Sequence, residues 1–201
     1  MKIISKTMIS LATLSVLSIS CNSKTKPQTK KTETTTAKSH VAKPNKEESV
    51  GDKIKRLKGL FDAANNSCKT TLDSNDAMKY QQNGKDIKEL KINLDCKKFY
   101  IKLRHTGKLP AAIMGHNVVI SKAKDLPAVI EACNKAGKEA DYLGTDPKII
   151  AKSHTIVGGG EKDIKEDYVE LNTSKFSKSE KYKYFCSFPG HFAIMQGSLK
   201  F

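Results

Sequence analysis

Residues 99–104 alternate strictly. Phe99, Ile101 and Leu103 are apolar, whereas Tyr100, Lys102 and Arg104 carry polar heads, the period-two pattern of a strand with one buried and one wet face. Similar short runs recur at 87–94, 118–121, 167–171, 182–186 and 197–201, so the chain from Ser67 onward reads as strands. The exception is 125–136, where Leu126, Val129, Ile130 and Cys133 fall on one helical stripe. Many short strands and one helix predict an all-β fold, a Greek-key β-sandwich with one short helical insertion.

The first third of the chain has a different pattern. Lys2 and Lys6 precede an apolar, Ser-interrupted run from 8 to 19, the form of a secretory signal over residues 1–20 and too short to span a bilayer. Cys21 follows Leu17-Ser18-Ile19-Ser20 and looks like the lipidated first residue of a relaxed bacterial lipobox. The alternative is an ordinary small-residue cleavage site at Ser18 and Ser20. Residues 22–50 are rich in Lys, Thr, Ser and Pro and nearly devoid of aliphatic side chains, too little apolar surface to offset ordering entropy. They read as a disordered N-terminal tether. Within 53–64, Ile54, Leu57, Leu60 and Phe61 recur at near-helical spacing among basic residues. That fits either a short amphipathic helix packed on the domain or a basic segment lying on anionic lipid. The domains are therefore 1–20 signal peptide, 21–64 tether with this helix, and 65–201 globular.

Composition fits that division. A chain of 201 residues allows one ordinary domain with extensions, and 38% hydrophobic residues exclude a membrane-embedded protein. The net charge is +15, about seven of it within 65–201, where 23 basic side chains oppose 16 acidic ones. Nucleic acid would account for such a balance, but the lysines are spread out and no aromatic residues interleave with basic patches, so no nucleic-acid partner is expected. Steering toward acidic partner proteins and attraction to anionic headgroups both account for the charge.

The chemistry concentrates near the C-terminus. Cys186-Ser187-Phe188-Pro189-Gly190-His191 continues to Met195, and Gly115-His116-Asn117 stands about seventy residues upstream. Two imidazoles and one thiolate with a weak axial thioether form the arrangement of a blue-copper electron-transfer centre. Zinc accepts Cys and His equally well but rarely Met. The Cys-x4-His-x3-Met loop supplies three donors from ten residues, so the fourth comes from a distant strand end.

In the type and spacing of these ligands, and in Met114-Gly115-His116-Asn117, the chain closely resembles the azurins, within the cupredoxin family. The likeness extends over about 66–201 and includes His105, Asp141-Tyr142-Leu143, His154 and Gly159-Gly160-Glu161-Lys162-Asp163. It implies the same β-sandwich and one copper ion, Cu(I)/Cu(II), bound by His116, Cys186, His191 and Met195, with a weakly coordinating carbonyl at Gly115. It also implies that the amides of Asn117 and Phe188 donate to the Cys186 sulfur. His105 and His154 have family counterparts outside the ligand set. The partner-docking patch implied is Met78, Leu109, Ile113, Met114, Phe188, Pro189, Gly190 and Ala193, all apolar or Gly, with Phe188 and Ile113 equally suited to capping the core. Val118 departs from the family, which commonly has a buried Trp there, and the chain has no Trp.

The resemblance assigns a disulfide to Cys68 and Cys96. Closing that loop would contribute roughly 3.6 kcal/mol in the chain-entropy model. Cys133 is then a small buried hydrophobe, with a Cys133 link to Cys68 or Cys96 as the alternative pairing. The function expected is one-electron transfer, without substrate chemistry, between redox proteins such as c-type cytochromes and terminal reductases or oxidases. The setting expected is the periplasm, at a membrane held through the lipid anchor. A copper-binding buffer or delivery protein is the second class. A multicopper enzyme is the third and the weakest, since only His40, His105 and His154 would be left to build another centre.

Overall fold

The computed structural model describes residues 48–158 and 164–201. The signal peptide, Cys21, the tether as far as residue 47 and the 159–163 motif lie outside them. Two five-stranded sheets face each other. In the first, β1 (Lys69–Ser74) lies parallel to β5 (Lys98–His105). β5 pairs antiparallel with β8 (Glu166–Asn172), and β1 with β2 (Tyr80–Gln82), which turns back as β3 (Lys85–Asp86). The second sheet runs β4 (Glu89–Lys91), β10 (Gln196–Lys200), β9 (Tyr182–Phe185), β6 (Val119–Lys122) and β7 (Ala151–Lys152).

The core between the sheets follows from the alternation. Phe99, Ile101 and Leu103 on β5 turn inward with Leu72, Val169 and Leu171, and meet Leu90, Ile120, Tyr184 and Leu199 from the opposite sheet. Burial of these faces is the main driving term. The helical insertion is α3 (Leu126–Ala136), whose Val129 and Cys133 pack on Val119 and Phe185 from the other side of the second sheet. A second, four-residue helix, α2 (Ala111–Met114), which no periodicity announces, precedes Gly115.

The basic stretch before the domain forms α1 (Val50–Ala63), capped by the Ser49 hydroxyl accepting from the Asp52 amide. Leu57 is buried, Phe61 packs on Tyr168 at 5.4 Å between ring centroids, and Lys69 donates to the carbonyls of Phe61 and Asp62 in the last turn. The helix thus packs on β8 and β5. Leu60, expected on its apolar stripe, is exposed. Cys68 and Cys96 form a disulfide with Cα atoms 5.8 Å apart, while Cys133 is a free buried thiol. No helix among the described residues is long and apolar enough to cross a membrane.

Candidate metal centre

Strand register brings the donors together. β6 and β9 are antiparallel with Val119 opposite Phe185, and β9 and β10 with Phe185 opposite Gln196. The residues just before β6, just after β9 and just before β10 therefore meet at one end of the sandwich. His116, Cys186 and His191 each place a donor atom within 4.8 Å of the others, and all three are buried. The Cys186 sulfur is 3.7 Å from His191 Nδ1 and 4.0 Å from the Gly115 carbonyl oxygen. Met195 is 1% exposed, and its carbonyl accepts from the Cys186 amide at 3.0 Å, closing the ten-residue loop into a ring. Inside that ring the Met195 amide donates to the His191 carbonyl and the His191 amide to the Phe188 carbonyl.

His116 is held in one tautomer. Its backbone exchanges hydrogen bonds with Ile156, and ring Nε2 lies 2.9 Å from the Asn75 carbonyl, which only an N–H can satisfy. Nδ1 is then a bare acceptor, buried, and it has no partner among the described residues. A buried nitrogen without a hydrogen bond is costly, and here it shares a pocket with a thiol and a second imidazole. Burial, with the neighbouring His105 and His191 adding to it, lowers the His116 pKa to about 3. His191 is lowered too, chiefly by burial and against an opposing backbone contact from Ile113. Burial pushes the Cys186 thiol up to about 12, while the amides of Asn117 and Phe188 pull it back by hydrogen bonding. These two amides are the donors named from the sequence. Two neutral imidazoles, a thiol ready to lose its proton to a metal and a buried thioether make a soft donor set suited to copper.

Asn117 is the keystone of the support. Its side-chain oxygen accepts from the amide of Ser187 at 2.8 Å and the hydroxyl at 3.1 Å, and its Nδ2 donates to Thr155 Oγ1. Thr155 in turn donates to the Asp141 carbonyl and Ser187 to the Tyr142 carbonyl. Asp141 and Tyr142 both have φ near +55°, a left-handed conformation that Asp tolerates and the bulky Tyr does not favour. The carbonyls so presented complete the network, which offsets the strain. The Tyr80 hydroxyl crosses the sandwich to donate to the Asn117 carbonyl. Gly115 has no room for a Cβ, which would sit 2.7 Å from the Phe188 ring.

Leu109, Ile113, Pro189, Gly190 and Ala193 are exposed around the loop, with Ile113 at 58%, and Met78 is half-buried. Met114 and Phe188 are buried and lie beneath this surface rather than on it. Sequence reasoning omitted Ile194, which is exposed beside Ala193; its place in the ligand loop was the available signal. It also omitted Asn75 and Tyr80, for which no local signal exists. His105 stacks on His116 at 4.8 Å with both ring nitrogens engaged, by the Gly107 amide and the Met114 carbonyl, so neither is free to bind metal. His154 is bonded to Asp167.

A family model described as copper binding proteins, plastocyanin/azurin family, matches residues 66–201. The chain is 42% identical over 135 residues to azurin of Alcaligenes faecalis, covering 67% of this chain and 98% of that protein. It is 43% identical over 135 residues to azurin-2 of Alcaligenes xylosoxydans xylosoxydans, covering 66% and 96%. A solved structure of azurin Az-iso2 from Methylomonas sp. strain J superposes with a TM-score of 0.59 at 35% identity, covering 67% of this chain and 97% of that one.

Proposed function

The chain belongs to the plastocyanin/azurin family of copper-binding proteins, and from that premise we propose that it is a one-electron carrier between redox proteins of the bacterial cell envelope. The observation that carries this reading is the closed, water-excluding donor set: His116 and Cys186 have no exposure and His191 only 3%. When bound, copper supplies a one-electron Cu(I)/Cu(II) couple. His116 Nδ1, His191 Nδ1 and Cys186 Sγ would hold it, with the Met195 thioether and the Gly115 carbonyl as weaker donors.

The protein's own contribution is rigidity. Asn75 fixes the His116 ring, Asn117 ties both ligand-bearing segments to one network, and the Cys186–Met195 hydrogen bond sets the span of the loop. Donors that stay in place through oxidation and reduction keep the reorganisation small. The apolar rim of Leu109, Ile113, Pro189, Gly190, Ala193 and Ile194 suits a small, transient contact around His191. The partners we assign are c-type cytochromes and terminal reductases or oxidases. Periplasmic location with a lipidated Cys21 rests on the sequence of residues 1–21 alone.

Copper(II) loading should give an intense visible thiolate-to-copper absorption that Cys186→Ser abolishes. Colourless binding with quick release to a chelator would replace the carrier with a copper delivery protein. Mass spectrometry of the mature N-terminus checks the anchor; an unmodified Cys21 removes it.

A further inference from the structure

The positive charge of the domain is not spread evenly. β6 and β10 leave the metal end at Val119 and Gln196 and finish at Lys122 and Lys200, while β9 starts from Tyr182. The opposite ends of these strands lie roughly 13 Å away along the strand direction, and lysines gather there. Glu180 stands between Lys122 and Lys124 at 3.6 and 3.3 Å, and Glu89 pairs with Lys200 at 3.1 Å. Lys91, Lys178, Lys181 and Lys183 make no ion pair among the described residues. Lys178, Lys181, Lys183 and Lys200 line one shallow groove with Phe201, and Lys91 lies beside Lys200 in register and shares the adjoining groove. Seven lysines thus face three carboxylates, Glu89 and Glu180, both already paired, and Asp125 next to Lys124. At the metal end, by contrast, four lysines, Lys79, Lys88, Lys108 and Lys138, are nearly balanced by Asp76, Glu139 and Asp141; Asp76 accepts from the Lys108 amide and Lys88 donates to the Ile194 carbonyl.

We propose that this lysine-lined end is a docking surface for an anionic lipid bilayer, seating the domain with its metal end turned away from the membrane. The side chains fit a diffuse field of headgroups better than a folded acidic partner. Protein interfaces favour Arg and deplete Lys, and this surface has no Arg; the two described arginines, Arg56 and Arg104, are paired with Glu48 and Asp73 elsewhere. Mobile ammonium groups need no fixed geometry to lie over anionic phosphate, and their contributions accumulate within a Debye length of the membrane. Phe201, 38% exposed on a base of Phe176 and Tyr182, adds an aromatic edge of the kind found at headgroup level. Only the orientation of the metal end rests on the carrier reading; the docking itself requires no copper.

The test uses residues 22–201, which contain the whole compact unit and lack the acylated cysteine, sedimented with vesicles of phosphatidylcholine alone or with added phosphatidylglycerol. Binding should require the anionic lipid, weaken steeply with salt and be the same with and without copper. The Lys178→Gln, Lys181→Gln, Lys183→Gln triple variant should lose it several-fold, and the Lys79→Gln, Lys108→Gln, Lys138→Gln variant should not. Equal losses in both variants, or none in the first, overturn the proposal. So does a first variant that keeps its vesicle affinity but exchanges electrons more slowly with an acidic redox protein, since the surface would then serve a protein. On vesicles the copper should react with soluble ferricyanide as fast as in solution; blocked reaction overturns the orientation while leaving the docking intact.

Discussion

The bare Nδ1 of His116 and the hydroxyl of Tyr80 illustrate what single atoms determine here. Tyr80 supplies the hydrogen bond that the buried Asn117 carbonyl receives, so Tyr80→Phe keeps the ring and orphans an acceptor. A loss of about 1–3 kcal/mol is expected, read as a lower urea midpoint. His116 resists protonation in the fold, with its pKa lowered from 6.5 to about 3. In the unfolded chain it takes up a proton near 6.5, so the unfolded state binds more protons throughout that interval. Stability of the copper-free protein should therefore fall as the pH drops from about 6.5 toward 3, by up to about 1.4 kcal/mol per pH unit from this group. Denaturant titrations at pH 7 and pH 4 check it, and His191, also lowered, acts in the same direction. The donors were legible because residue type and spacing encode them: a ten-residue loop holds three, and His116 stands beside Gly115 and Asn117. Tyr80 and Asn75 were not, because their roles exist only once two sheets have closed across the core.

At the scale of elements, legibility followed length. β5 and β8 span eight and seven residues, enough for alternation to declare a buried face. β3 and β7 have two residues each, too short for any period, and pairing with a neighbour creates them. The alternating run at 87–94 yields only β4 (Glu89–Lys91) as strand, although Lys88 and Ile92 on either side still hydrogen-bond to Ser198 and Lys200 of β10. α1 was readable as an amphipathic helix, but its docking was one of two possibilities until Leu57 and Phe61 were seen against β8 and β5. Leu57→Ala should cost about 2 kcal/mol in thermal or urea unfolding. The visible copper band should be unchanged, because the helix packs on β8 and β5, which carry none of the ligands.

At the largest scale, the described domain is a sandwich fastened at both ends. At the metal end the Asn117 network joins β6 to the ligand loop, and at the other the Cys68–Cys96 bridge joins the start of β1 to the start of β5. Replacing both cysteines by Ala should remove about 3–4 kcal/mol in chemical denaturation while leaving the absorption of the folded copper protein intact, since the bridge lies away from the ligands. Burial of Cys186 has an effect on the life of the protein before any metal arrives. A thiol whose pKa stands near 12 is ionised in only about one molecule in 10⁵ at neutral pH. A newly folded chain can therefore wait for copper with this sulfur dormant. It is the arriving ion, by displacing that proton, that wakes it.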